Sequence, residues 1–114
     1  MSERSQELFL SDILESIDAI QSYLTGSDFD YFRTDRKTFS ATIRELEIIG
    51  EAIRNISDDI KAQYPEVLWQ EIRSFRNKIM HEYFGVDVNI VWDIVQNELE
   101  LLKVQISDIL ESLK

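Results

Sequence analysis

Apolar residues recur in this chain at spacings of three and four, and that rhythm restricts what it can fold into. Leu10, Ile13, Leu14, Ile17, Ile20 and Leu24 fall on one face of an α-helix. A half-buried strand needs alternation with a period of two, which no segment sustains. Breakers are scarce: three glycines and one proline in 114 residues. Gly26, Pro65 and Gly85 stand where helices would stop or start.

The first helix is predicted from about Ser5 to Leu24, with Gly26 as its stop. SDFDYFRTD reads as a loop or a short helical turn, after which Asp35 is placed to cap a second long helix. That helix carries Phe39, Ile43, Leu46, Ile49, Ile53 and Ile56 on one face. Ser57 then caps a short turn, DDIKAQ, which Tyr64-Pro65 ends. A third helix is expected to begin after Pro65 and to run through VLWQEIRSFRNKIMHEY, with Leu68, Ile72, Phe75 and Ile79 as its core face. Asp87 or Asn89 starts a last helix through Val91, Ile94, Val95, Leu99, Leu102, Ile106, Ile109 and Leu113. The predicted fold is all-α, an up-and-down bundle of four long helices plus one or two short ones, with residues 1–114 forming a single domain.

With no cysteine, the chain can form neither a disulfide nor a thiolate metal site, and it suits a reducing cytoplasm. The apolar run near the N-terminus is too short and interrupted for a signal peptide, and none approaches the roughly 18–20 residues of a membrane span. Twelve lysines and arginines stand against 22 aspartates and glutamates, a net charge of −10. Such a surface repels nucleic acid on average, so any RNA contact needs a local basic patch.

That patch is offered by RNKIMHEYFG, residues 76–85, which holds the chain's one histidine. On a helical wheel Arg73, Asn77 and His81 form a polar stripe at i, i+4 and i+8. Arg76 lies on the other flank, beside Trp69, Met80 and Tyr83. Arg76 and His81, five residues apart, are separated by about 140° around the axis and about 7.5 Å along it. They serve one phosphate if the helix end distorts near Gly85 or if two copies face each other about a two-fold axis.

The chemistry such a set provides is narrow. An arginine fork suits a phosphate, and an imidazole near its ordinary pKa gives or takes a proton at neutral pH. RNA brings its own nucleophile, the 2′-hydroxyl, so cleavage needs a base or acid and a cation at the developing charge, and no metal or cofactor. The bland reading is a solvated face, a histidine favoured by the helix dipole and an aromatic at the core edge. Glu47 and Glu51, at i, i+4, have the spacing of a carboxylate metal pair, but no second pair or histidine element accompanies them. Glu47 reads as solvated, and Glu51 as a candidate to reach the polar cleft.

Arg76, four residues, His81, one residue, Tyr83 is a pattern, and it has company: WQEIR before it, YFGVD and Val91-Trp92 after it, IIGEA (48–52) upstream. Together these resemble the HEPN-domain toxins of the HepT family over nearly the whole chain. The resemblance implies a two-fold dimer with a cleft between subunits and metal-independent endoribonuclease cleavage of RNA. It implies Arg76 and His81 as the catalytic pair and Asn77 as a substrate-orienting residue. Arg73 and Lys78 are the other candidates for RNA contact. It further implies a cognate minimal nucleotidyltransferase antitoxin that transfers AMP from ATP to Tyr83. No DNA or membrane partner is expected. The competing readings are a non-catalytic helical module that binds nucleotide or phosphate beside the same nucleotidyltransferase, and a structural bundle with no ligand.

Overall fold

A computed structural model describes residues 3–75 and 87–114. Seven α-helices and no strand occur among them, so the fold is all-α: α1 Glu3–Leu24, α2 Phe29–Thr34, α3 Arg36–Arg54, α4 Asp58–Gln63, α5 Trp69–Arg73, α6 Val88–Asn97 and α7 Leu99–Leu113. None of the described helices is long and apolar enough to cross a membrane.

The periodic face of α1 is the centre of the molecule. Leu10, Ile13, Ile17 and Ile20 are fully buried, between α3 on one side and α7 on the other. Each such side chain contributes about 1.5–3 kcal/mol through removal from water. Polar cross-links show both neighbours antiparallel to α1. Tyr23 donates its hydroxyl to Glu45 at 2.8 Å while Gln6 reaches Asn55. Lys103 pairs with Asp18 at 3.0 Å and Gln21 donates to Glu100 at 2.8 Å. Gln6 is a buried polar residue on the apolar side of α1, only 3% exposed. Its Nε2 donates to the Asn55 carbonyl at 3.3 Å, and its Oε1 accepts from the Ser57 N–H at 2.7 Å, so it bridges the end of α3 and the start of α4.

The helix ends follow side-chain chemistry. Gly26, at φ 76°, takes the left-handed backbone that ends α1, and there glycine is the least strained choice. SDFDYFRTD is α2, capped by Asp28, whose carboxylate accepts from the Tyr31 N–H at 2.9 Å. It drives Phe32 into the core against Phe39 and Trp92, with ring centroids 5.4 and 5.2 Å away, and Phe29 meets Trp92 at 5.7 Å. Trp92 thus joins an internal aromatic cluster. Asp35 precedes α3 as expected, but its carboxylate accepts from the Thr38 hydroxyl and not from a backbone N–H. Ser57 caps α4 through Ile60 N at 3.2 Å, and Asp87 caps α6 through Asn89 N at 2.9 Å and Ile90 N at 3.4 Å.

Three expectations need correction. The third helix does not begin after Pro65. The Tyr64 carbonyl accepts from Val67 N at 3.2 Å and from the Trp69 indole at 3.0 Å, which holds 64–68 as a turn until α5 starts at Trp69. Leu68 is therefore not a core residue. With φ −81° and ψ 65° it stands outside the helix, 58% exposed, and Val67 takes the buried place at 3%. The last helix is two, α6 and α7, meeting at Glu98 with φ −118°. Hydrogen bonds continue across the junction, Glu98 N to Ile94 O at 2.9 Å and Leu102 N to Glu98 O at 3.2 Å, so the axis is irregular there without being cut.

Candidate functional site

α5 is a short platform held on three sides. At its start, the Trp69 indole is tied to Tyr64, whose hydroxyl shares a 2.9 Å hydrogen bond with Ser112 of α7. Below, Ile72 and Phe75 are 6% and 1% exposed in the core. Alongside runs α3, where a Cβ on Gly50 would lie 3.5 Å from the Arg73 carbonyl oxygen and 4.0 Å from that of Ile72. The Ser74 N–H closes the helix end onto the Gln70 and Ile72 carbonyls. From this platform Arg73 points to solvent in the last turn of α5. The ion pairs among the described residues, Arg33–Asp30, Arg54–Glu51 and Lys103–Asp18, do not engage it.

Of the residues predicted to carry chemistry, Arg73 is among the described residues and is exposed. Arg76, Asn77, Lys78, His81 and Tyr83 lie outside the described residues, as do Ile79, Met80 and Gly85. The described chain stops at Phe75, fixed in the core, and resumes at Asp87, fixed as the α6 cap.

Glu51 was a candidate for the cleft. It is exposed, its carboxylate stands 3.9 Å from Arg54, and its backbone carbonyl accepts from Asn55 at 2.9 Å. Glu47 is also exposed, as expected. No group of three histidine, aspartate or glutamate side chains gathers around a common point among the described residues. A groove of about 310 Å³ between α5 and α7 is lined by Leu68, Ile72, Phe75 and Leu101, with Glu66 and Glu98 at its edge. Apolar walls and carboxylates are the wrong chemistry for a phosphate. Sequence reasoning gave Gly50 no role. The signal was there, since glycine interrupts IIGEA where a helix former costs about 1 kcal/mol less.

The model of the ribonuclease HepT-like family matches residues 13–109, a span that includes α5 and the Arg76–Tyr83 element. The chain belongs to that family. It is 44% identical over 101 residues to a Thermococcus cleftensis protein named as a probable ribonuclease HepT, a match covering 89% of this chain and 92% of that relative. Two Methanocaldococcus jannaschii proteins, provisionally named RNases, are 41% identical over 99 residues and 38% identical over 106. Those matches cover 87% and 93% of this chain, and 82% and 97% of the relatives. No solved structure matches the chain.

Proposed function

We propose that this protein is a metal-independent endoribonuclease, the toxin of a toxin–antitoxin pair, acting on RNA in the cytoplasm. The observation that carries the reading is the Arg76-x4-His81 element inside a span matched by the ribonuclease HepT-like family. Two protomers pack about a two-fold axis, and each supplies this element to a shared cleft. Arg76 binds the scissile phosphate and stabilises the charge that grows on its oxygens. The 2′-hydroxyl attacks phosphorus, the P–O5′ bond breaks, and the products are a 2′,3′-cyclic phosphate and a 5′-hydroxyl. His81 moves a proton in this step, taking it from the 2′-hydroxyl as a base or giving one to the leaving oxygen as an acid. Arg73, Asn77 and Lys78 hold neighbouring phosphates and sugars. DNA lacks the nucleophile and is not cut.

Tyr83 is the control point. A cognate minimal nucleotidyltransferase antitoxin directs the tyrosine oxygen to the α-phosphorus of ATP; the O–P bond forms, pyrophosphate leaves, and AMP stays on the ring. Its bulk and negative charge repel RNA from the cleft.

The test is RNA cleavage by the purified chain in EDTA beside His81→Ala, with intact mass to detect AMP. Cleavage in the wild type, cyclic-phosphate ends and their loss in the variant are expected. Mainly 3′-hydroxyl ends would refute the 2′-hydroxyl route. The net charge of −10 favours a second reading, a non-catalytic module that binds nucleotide or phosphate and the same nucleotidyltransferase. An unmodified, folded dimer that cuts none of several RNAs selects it.

A further inference from the structure

Gly50 lies inside α3, yet its backbone does not require glycine, because Gly26 is the residue with positive φ among the described glycines. Glycine costs a helix interior about 0.5–1 kcal/mol relative to alanine, so its presence has to be sought in what faces it. What faces it is backbone: the carbonyl oxygens of Arg73 and Ile72, 3.5 and 4.0 Å from where a Cβ would be. The first distance is an ordinary carbon–oxygen contact, so a Cβ just fits and an atom beyond it on that side does not. The carbonyls cannot swing aside as a flexible side chain would. α3 cannot retreat, since α1 packs along its length. α5 is five residues long, anchored below by Ile72 and Phe75. A larger side chain at position 50 would therefore lever the end of α5 outward and drag those two anchors with it.

We infer that Gly50 is a positioning residue for the cleavage reaction: it sets how closely the end of α5 stands against α3, and so where Arg73 is presented and where the chain leaves for the Arg76–His81 element. The inference rests on the ribonuclease reading above for its consequence, and on the α3–α5 contact for its geometry.

The experiment compares the full-length wild type with Gly50→Ala, Gly50→Val and Gly50→Leu. Alanine keeps the wild-type kcat. Valine and leucine lower kcat about 10–100-fold, the effect expected of an ångström-scale misplacement, with KM little changed, while circular dichroism still reports a folded helical protein. A role in stability alone would lower the melting temperature and leave the kcat of the folded protein untouched. In parallel, the Arg73 Nε–H and Phe75 ring resonances are followed by NMR. They move in the valine and leucine variants and stay in the alanine variant. Should leucine prevent folding, valine decides. A folded Gly50→Val protein with wild-type kcat and unmoved resonances overturns the inference. If the unmodified wild type cuts no RNA, the ribonuclease reading fails, and the resonances alone still decide whether Gly50 positions α5.

Discussion

Asp35 stands between α2 and α3, and the Thr38 hydroxyl donates a hydrogen bond to its carboxylate. That bond above all favours the charged form and lowers its pKa below the ordinary aspartate value. A depressed carboxylate contributes stability that is fully present above the unfolded-state value, about pH 4, and is lost as pH falls through its own lower value. Wild type and Asp35→Asn should therefore differ in urea unfolding at neutral pH, and the gap should close as the solution is acidified below pH about 4. A gap that does not change with pH would mean that the contact contributes through shape and not charge. Single residues were unevenly legible in the sequence. Ser57 and Asp87 cap as their chemistry says, because a cap is a local event between one side chain and the next turn. Asp35 is in the right place with a different partner, since Thr38 competes for its oxygens. Leu68 was misread because the shared Tyr64 carbonyl delays the helix, and the wheel applies only once the helix has begun.

At the scale of elements, spacing predicts well until the phase slips. Val91, Ile94, Leu99, Leu102, Ile106 and Ile109 are buried. The step of five from Ile94 to Leu99 is about 140° out of phase on a regular helix. The irregular backbone at Glu98 absorbs that error and returns Leu99 to the core, so one long pattern becomes α6 and α7. The sequence hid this because half-buried Val95 makes the spacing look continuous. α6 starts at Asp87, which accepts from two backbone N–H groups and fixes where the chain re-enters the core. Asp87→Ala should cost about 1 kcal/mol, seen as a lower midpoint in urea with an unchanged slope. No change in midpoint would show that α6 is held by Val91 and Ile94 alone.

For the whole molecule, the acidic body and the RNA site of the proposed function should respond to salt in opposite senses. Screening relieves the self-repulsion of a net charge of −10, so the melting temperature should rise with salt. On the proposed function, RNA held by Arg73, Arg76 and Lys78 should bind the His81→Ala protein, expected not to cleave, with a slope of about −2 in log affinity against log salt, at roughly −0.7 per phosphate contact. A slope near zero would remove those cations from RNA binding. The all-α architecture was legible because helices announce themselves by local period. The roles proposed for Arg76, His81 and Tyr83 rest on a motif and a resemblance, and these residues lie outside the described ones; which groups share a cleft depends on contacts distant in sequence, which local period does not carry. Gln6 was overlooked for the same reason, and it has a consequence for the entire bundle. It lies on the seam that continues through Leu10, Ile13, Ile17, Ile20 and Leu24. Apolar side chains give such a seam its grip but little direction along the axis. Gln6 supplies direction, because its amide meets the Asn55 carbonyl and the Ser57 N–H at one height, and leaving either buried group unmet costs about 1–3 kcal/mol. With Tyr23–Glu45, Lys103–Asp18 and Gln21–Glu100 it makes a ruler that sets the height of α1 against its neighbours.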